Sequence, residues 1–241
     1  MEVTRPDLIP DPCMDRSVMK EVQLSVANTA TFSGSINRHD EVVVVGVDQA
    51  FHDDHAVSVA LAMKKGEVIE EASASMPVQT PYVPGLLSFR EGEAVIEALR
   101  ELCVEPDLLM FDGSGRIHYR QAGIATHIGV VFDTPSIGVA KNLLCGETRV
   151  DDEMPAGETR LVTAGDNVVN ASNEEVLGAA YQSRQYATGN QSINPLYVSS
   201  GHRVDLDDAL TWVLSLCGTW KLPDPIHRAD RRVSAQKSSL V

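Results

Sequence analysis

Val42-Val43-Val44-Val45-Gly46-Val47 is a continuous apolar run of strand length, rich in β-branched residues, and it ends in Asp48. With no alternating polar position, such a run suits a central strand covered on both faces. The fold must therefore supply layers above and below it. A carboxylate at the end of such a strand costs free energy unless something pairs with it. Leu108-Leu109-Met110-Phe111 repeats the design and also ends in an acidic residue, Asp112. A third carboxylate, Glu91, closes Ser88-Phe89-Arg90-Glu91 at the start of a helical pattern. Carboxylates far apart in sequence, each at the edge of a core segment, are how a protein builds an oxygen-rich site for Mg²⁺.

Residues 1–40 open polar, with a helical pattern over 16–28 and the loop Ser33-Gly34-Ser35, and read as an N-terminal arm or helix outside the main sheet. Strands over 42–47, 56–63 and 68–75, joined by turn-like Asp53-Asp54-His55 and Lys64-Lys65-Gly66, predict an antiparallel meander. A helix from Ser88 carries Ala94, Val95, Ala98, Leu99 and Leu102 on one face. A strand over 107–111, a helix over 120–129 and a buried strand over 135–140 follow. Residues 146–193 are polar and poorly patterned, with candidate strands at 161–164 and 176–181. A strand at 196–199 and an amphipathic helix at 206–216 come next, and 231–241 read as a polar, mobile tail. This order predicts an α/β, ribonuclease H-like domain over 41–230: a central mixed sheet, antiparallel meander plus parallel strands, flanked by helices. In that plan the first and fourth strands are neighbours, which sets Asp48 beside Asp112.

The chain has 241 residues, 43% of them hydrophobic, so a large core is available and global disorder is excluded. No apolar run approaches bilayer-spanning length, and Met1 to Lys20 lacks the form of a signal peptide, which predicts a cytoplasmic protein with no membrane contact. Cys13, Cys103, Cys145 and Cys217 are scattered and read as reduced thiols. A net charge of −14 argues against a generic basic nucleic-acid binder. It suits a solvated acidic surface in a high-salt cytoplasm, hence a halophilic source, or else an ordinary acidic enzyme.

Each carboxylate also has an ordinary structural role available. Asp48 suits a strand-terminal turn, Ser88-x-x-Glu91 is a capping box, and Asp112-Gly113 is a common turn pair. Their joint placement in a ribonuclease H-like order favours a site. His39, His52 and His55 lack such company and read as surface residues.

Pro81-Tyr82-Val83-Pro84-Gly85-Leu86-Leu87-Ser88-Phe89-Arg90-Glu91 resembles the PYIPG-x-L-x-FRE segment of endonuclease V, the deoxyinosine 3′-endonuclease family. Phe111-Asp112-Gly113-Ser114-Gly115, Gly123-Ile124-Ala125-Thr126-His127-Ile128-Gly129, Pro135-Ser136-Ile137-Gly138-Val139-Ala140-Lys141 and Gly201-His202-Arg203 resemble further motifs of that family, in its order. The likeness runs over about 42–230. It implies a ribonuclease H-like repair nuclease that cuts the second phosphodiester bond 3′ to deoxyinosine in DNA, leaving 3′-hydroxyl and 5′-phosphate. Single- or double-stranded nucleic acid would be the substrate of a monomer, with Mg²⁺ as cofactor and Mn²⁺ able to substitute. An inosine-specific endoribonuclease is the alternative within the family.

By residue match, Asp48, Glu91, Asp112 and Asp230 would form the acidic core, with Asp48 and Asp112 holding metal. Lys141 would stabilise the charge that builds on phosphorus. Pro81, Tyr82, Val83 and Pro84 would form a wedge that fills the stack vacated by a flipped base. Leu87, Gly113, His118, Gly123 and Ile124 would line the hypoxanthine pocket. His202 and Arg203 would bind backbone phosphate, or merely balance charge at the helix start near Asp205. Two departures stand out: Tyr119 replaces the family's proline between His118 and Arg120, and His227-Arg228 replaces the usual Arg-x before Ala229-Asp230. Two competing readings remain open, another ribonuclease H-like nuclease without base selectivity and a non-catalytic binder of deaminated nucleic acid.

Overall fold

The valine run enters a central strand, but later than its composition suggests. In the computed structural model, which describes residues 1–39, 41–149, 154–185 and 193–239, β1 spans Val44–His52. It pairs antiparallel with β2 (His55–Lys64), from Val44↔Met63 to His52↔His55. β2 continues through Lys65 and Gly66, both at positive φ, into β3 (Glu67–Pro77). Two consecutive residues at positive φ suit the tight turn whose twist matches a hairpin. From Ile69 on, exposure along β3 alternates from residue to residue, the signature of an edge strand with one wet face.

On its other side β1 pairs in parallel with β4 (Leu108–Asp112), ending at Val47↔Phe111. β5 (Ser136–Ala140) joins β4 in parallel, and β8 (Leu196–His202) joins β5 antiparallel. β7 (Val176–Tyr181) and β6 (Thr159–Thr163) extend that edge, giving the order β3-β2-β1-β4-β5-β8-β7-β6. The fold is the expected mixed sheet flanked by helices. The antiparallel β6–β8 extension was not foreseen. Residues 150–153 and 186–192 of the poorly patterned stretch, and 240–241, lie outside the described residues.

One face of the sheet carries α1 (Arg16–Thr29), α2 (Leu87–Arg100) and α3 (Ile124–Phe132). Here Val45, Val47, Leu109 and Phe111 meet Val26, Val95, Leu99 and Ile128. Every residue of α3 is buried, as expected of a helix apolar on all sides. α3 begins later than its pattern suggested, because Gln121 takes a left-handed conformation and Gly123 serves as the N-cap. The N-terminal arm is part of this layer, with Leu8 and Val26 in its core. The opposite face carries α4 (Leu206–Leu216) and α5 (Asp224–Ser239). The expected mobile tail is instead helical as far as Ser239. Ile226, Ala229 and Val233 are buried along one stripe of α5, against β1, β2 and β4.

Candidate active site

Pleat parity decides which carboxylates meet. Successive side chains of a strand point to opposite faces. Val45 and Val47 face α2 and α3, so Val44, Gly46 and Asp48 face the α4–α5 side. Along β4, Leu108, Met110 and Asp112 share that second face. Asp48 is not strand-terminal: it lies inside β1, opposite Val59 of β2, one residue past the last rung to β4. The turn reading of Asp48 therefore fails. α5 crosses this face and delivers Asp230, so that one carboxylate oxygen from each of Asp48, Asp112 and Asp230 lies within 4.8 Å of the others.

Lys141, one residue past β5, places its ammonium 2.6 Å from Asp112 Oδ2 and 3.3 Å from Asp230 Oδ1. Burial alone would lower its pKa, yet Asp112, Asp230 and Asp48 together hold it above the ordinary value. Burial first, and then the Asp112 charge, push the Asp48 carboxyl up to about 8. The site therefore holds more negative charge than one ammonium balances.

Glu91 approaches from the opposite layer. It is 3% exposed, and its Oε2 has no hydrogen-bond partner among the described residues. Burial pushes it up to about 8; Arg90 counters this, while Asp48 and Asp112 reinforce it. The capping-box role is absent, because α2 starts at Leu87 with no side-chain cap and Ser88 is buried inside its first turn. The Ser88 hydroxyl instead donates to His127 Nδ1 at 3.0 Å, while His127 Nε2–H donates to the Leu8 carbonyl at 2.8 Å.

A cavity of about 570 Å³ joins Asp48, Asp112, Asp230 and Lys141 to Tyr82, Leu87, Gly113, His118 and Ile124. Of the residues matched to the acidic core, Asp48, Asp112 and Asp230 but not Glu91 thus share one space with Leu87, Gly113, His118 and Ile124. Tyr82 is 61% exposed at this site, while Val83 anchors the loop against Met19, Leu86 and Phe89. Pro81 and Val83 line a separate recess, so among the wedge residues Tyr82 reaches the cavity. Gly123 does not line the cavity. It is a close-packing position, where a Cβ would fall within 3.0 Å of the Ser114 and Gly115 carbonyl oxygens.

His118 is a buried, neutral wall: burial pushes it down to about 3. Its Nδ1 accepts from the Arg120 amide at 3.1 Å, so its Nε2–H donates to the Gly85 carbonyl at 3.1 Å. Both ring nitrogens are therefore consumed within the protein, so His118 offers the cavity a shape and no spare hydrogen-bonding nitrogen. Arg120 Nη2 and Gln23 Nε2 donate to the same Gly85 carbonyl, and Arg120 Nε donates to Gln23 Oε1 at 2.7 Å. Tyr119 packs over Gly85, where a Cβ would lie 2.8 Å from its Cδ2. Contacts thus stiffen the loop that a proline would have stiffened.

His202 and Arg203 are not brought to this cavity. Ser136 pairs with His202 and Ala140 with Tyr197, so β8 carries the two basic residues to the far end of β5 from Lys141. Four strand residues separate those ends by roughly 13 Å. His202 is buried and donates to Asp133, and Arg203 pairs with the same carboxylate. Gln23 and Gln49 were missed. Gln23 breaks the buried Met19–Val26 stripe of α1, a readable sign of a polar partner. Gln49 Nε2 donates to the Asp112 carbonyl, tying the ends of β1 and β4, and only the pairing of those strands reveals it.

The Endonuclease V family model matches residues 25–231. Endonuclease V of Halobacterium salinarum is 48% identical over 259 residues, covering 96% of this chain and 98% of that protein. Endonuclease V of Natronomonas pharaonis is 46% identical over 237 residues, covering 95% of each. Among solved structures, the endonuclease V of Streptomyces avermitilis superposes with a TM-score of 0.82 at 32% identity, covering 98% of each chain. A Ciona intestinalis endonuclease V, crystallised with DNA containing an inosine followed by a ribo-adenosine, shares the fold (TM-score 0.75, 22% identity, 94% of this chain, all of that one).

Proposed function

The chain belongs to the endonuclease V family, nucleases of the hydrolase class, and from that membership we propose that it recognises deoxyinosine in DNA and hydrolyses the second phosphodiester bond on its 3′ side. The observation that carries this reading is the shared cavity, in which the carboxylate cluster lies beside Leu87, Gly113, His118 and Ile124, the side we assign to a flipped base. The Ciona relative, crystallised on inosine-containing DNA, supports the same substrate class.

Members of the family are metal-dependent, and the donor set here fits a hard divalent cation: three carboxylates lie close together, and burial, then the Asp112 charge, pushes the Asp48 carboxyl up to about 8. Asp48, Asp112 and Asp230 would hold it, Mg²⁺ being the proposed ion and Mn²⁺ a substitute. Bound there, it would polarise the scissile phosphate and lower the pKa of a water. The chain's own groups do the rest. Lys141 supplies a fixed cation for the charge that develops on phosphorus, leaving 3′-hydroxyl and 5′-phosphate. Glu91, with one carboxyl oxygen unpartnered beside this cluster, can hold or take a proton as the water attacks. Tyr82 fills the space vacated by the base, and Leu87, Gly113, His118 and Ile124 close on it.

No helix among the described residues is long and apolar enough to cross a membrane. We place the enzyme in a salt-rich cytoplasm, working as a monomer. The net charge of −14 and relatives from Halobacterium and Natronomonas support that setting. The test is incubation with Mg²⁺ and end-labelled DNA or RNA carrying one inosine, over a range of KCl. Asp48→Ala protein and inosine-free strands are the controls. A single cut one nucleotide beyond inosine, on DNA above RNA, is expected. Cutting indifferent to inosine would discard the base pocket and keep the nuclease.

A further inference from the structure

Two large aromatic side chains stand exposed among the described residues, Tyr82 at 61% and Trp220 at 46%. Tyr82 belongs to the cavity; Trp220 has no role in the chemistry above. Its indole lies flat on the His227 ring, centroids 4.3 Å apart and planes 19° from parallel. One face is thus covered, leaving the other free to receive a flat partner.

The loop that carries Trp220 is fastened on both sides of the indole, at Thr219 and at Lys221. Arg184 bonds the Thr219 carbonyl, the Ser183 hydroxyl donates to the Lys221 carbonyl at 2.7 Å, and Lys221 Nζ donates to Asn194 Oδ1 at 2.6 Å. Asn194 stands just before β8, whose Tyr197 pairs with Ala140 beside Lys141, so this loop lies at the active-site end of the sheet. Burial and then the positive charge of Lys141 lower the Lys221 ammonium, while Asp112 pulls the other way; loop and site share one electrostatic neighbourhood.

Helix α5 gives the direction. Val233 and Ser234 line the cavity that also holds Tyr82, Asp230 follows one turn earlier, and His227 with its stacked Trp220 lies a turn earlier still. If inosine occupies the recess and the scissile phosphate sits at the carboxylates, the strand continues past Asp230 toward Trp220. We propose that Trp220 and Lys221 form a strand-binding platform for nucleic acid 3′ to the cut, the indole stacking on a base and the ammonium meeting a phosphate. This rests on the substrate assigned above. A rigid ring loses little freedom on stacking, and every base offers a π-face. Stacking also survives salt that weakens phosphate contacts, which suits a chain of net charge −14.

The test uses fluorescein-labelled single-stranded DNA with one inosine, in two series trimmed from the 3′ or the 5′ end. Wild type, Trp220→Ala, Trp220→Phe and Lys221→Gln are compared as ratios to wild type on the same oligonucleotide. Trp220→Ala should raise KM about tenfold on long 3′ flanks with kcat nearly unchanged, and Phe should restore most of it. The defect should vanish as the 3′ flank is trimmed and persist in molar KCl, whereas that of Lys221→Gln should fade with salt. A wild-type KM for Trp220→Ala on every flank, or a defect that follows the 5′ flank, overturns the platform. So does a defect that Phe does not relieve and that accompanies a lowered melting temperature. Should wild type cut without regard to inosine, the substrate assignment fails alone, because the flank ratios, or anisotropy of the same strands, still report on the platform.

Discussion

Gly46→Ala probes the joint between fold and chemistry. Gly46 lies on the face of β1 that α5 crosses, and an added Cβ would sit 2.8 Å from the Ile226 nitrogen and nearer still to the Pro225 carbonyl. Ordinary contact begins at 3.4 Å, and the obstacle is helix backbone, so the start of α5 must lift by roughly 1 Å. Overpacking of this kind costs about 1–3 kcal/mol. For a domain of this size, about 2 kcal/mol corresponds to a drop in melting temperature of about 4–8 °C. The lift would also carry Asp230 away from Asp48 and Asp112, and a displacement near 1 Å in a catalytic group can cost about 100-fold in rate. Thermal melts in molar KCl and single-turnover cleavage of an inosine oligonucleotide read the two effects. Gly218→Ala, where an added Cβ meets nothing within 4 Å, is the stability control. If Gly46→Ala melts and cuts like wild type, the β1–α5 contact does not position Asp230. A lowered melting temperature with full activity would refute the second step alone.

Removal of metal gives a further prediction. Saturating Mg²⁺ at about 100 times Kd should stabilise wild type by about 2.7 kcal/mol, seen as a raised melting temperature. Asp112→Asn should lose both that rise and cutting, and a full Mg²⁺ response in this variant would sink the cation site. Tyr82→Ala should slow cleavage of duplex inosine DNA more than of single strands; equal losses would remove the wedge role. His127 is buried, and burial pushes it down to about 4 from 6.5. An unfolded chain therefore binds its proton first as pH falls, so the stability His127 contributes is complete above pH 6.5 and is lost toward pH 4. A shift of that size corresponds to about 3 kcal/mol, and His127→Asn, measured by denaturant titration across this window, should flatten the dependence. Parallel curves for variant and wild type would refute it.

The strand-forming runs, the meander, the helical stripe of α2 and the acidic ends of two core segments were legible in the sequence because each is written in local periodicity. The stripe of α5, Ile226, Ala229 and Val233, is also at helical spacing, although its last part, from 231 on, read as a tail. The capping-box alternative for Glu91 rests on a pattern over four residues, whereas the Ser88 hydroxyl is engaged by His127, thirty-nine positions away. The place of His202 and Arg203 was not legible because their motif says nothing of strand direction. Only the antiparallel pairing of β8 with β5 places them at the far end from Lys141. The sequence determined which residues carry charge at the margins of the core. Tertiary structure decided which of them meet, since the face a strand residue occupies changes at every step and depends on register and on the helix laid across it. That is why Asp48, Asp112 and Asp230 form one cluster on the α5 face while Glu91 arrives from the other side.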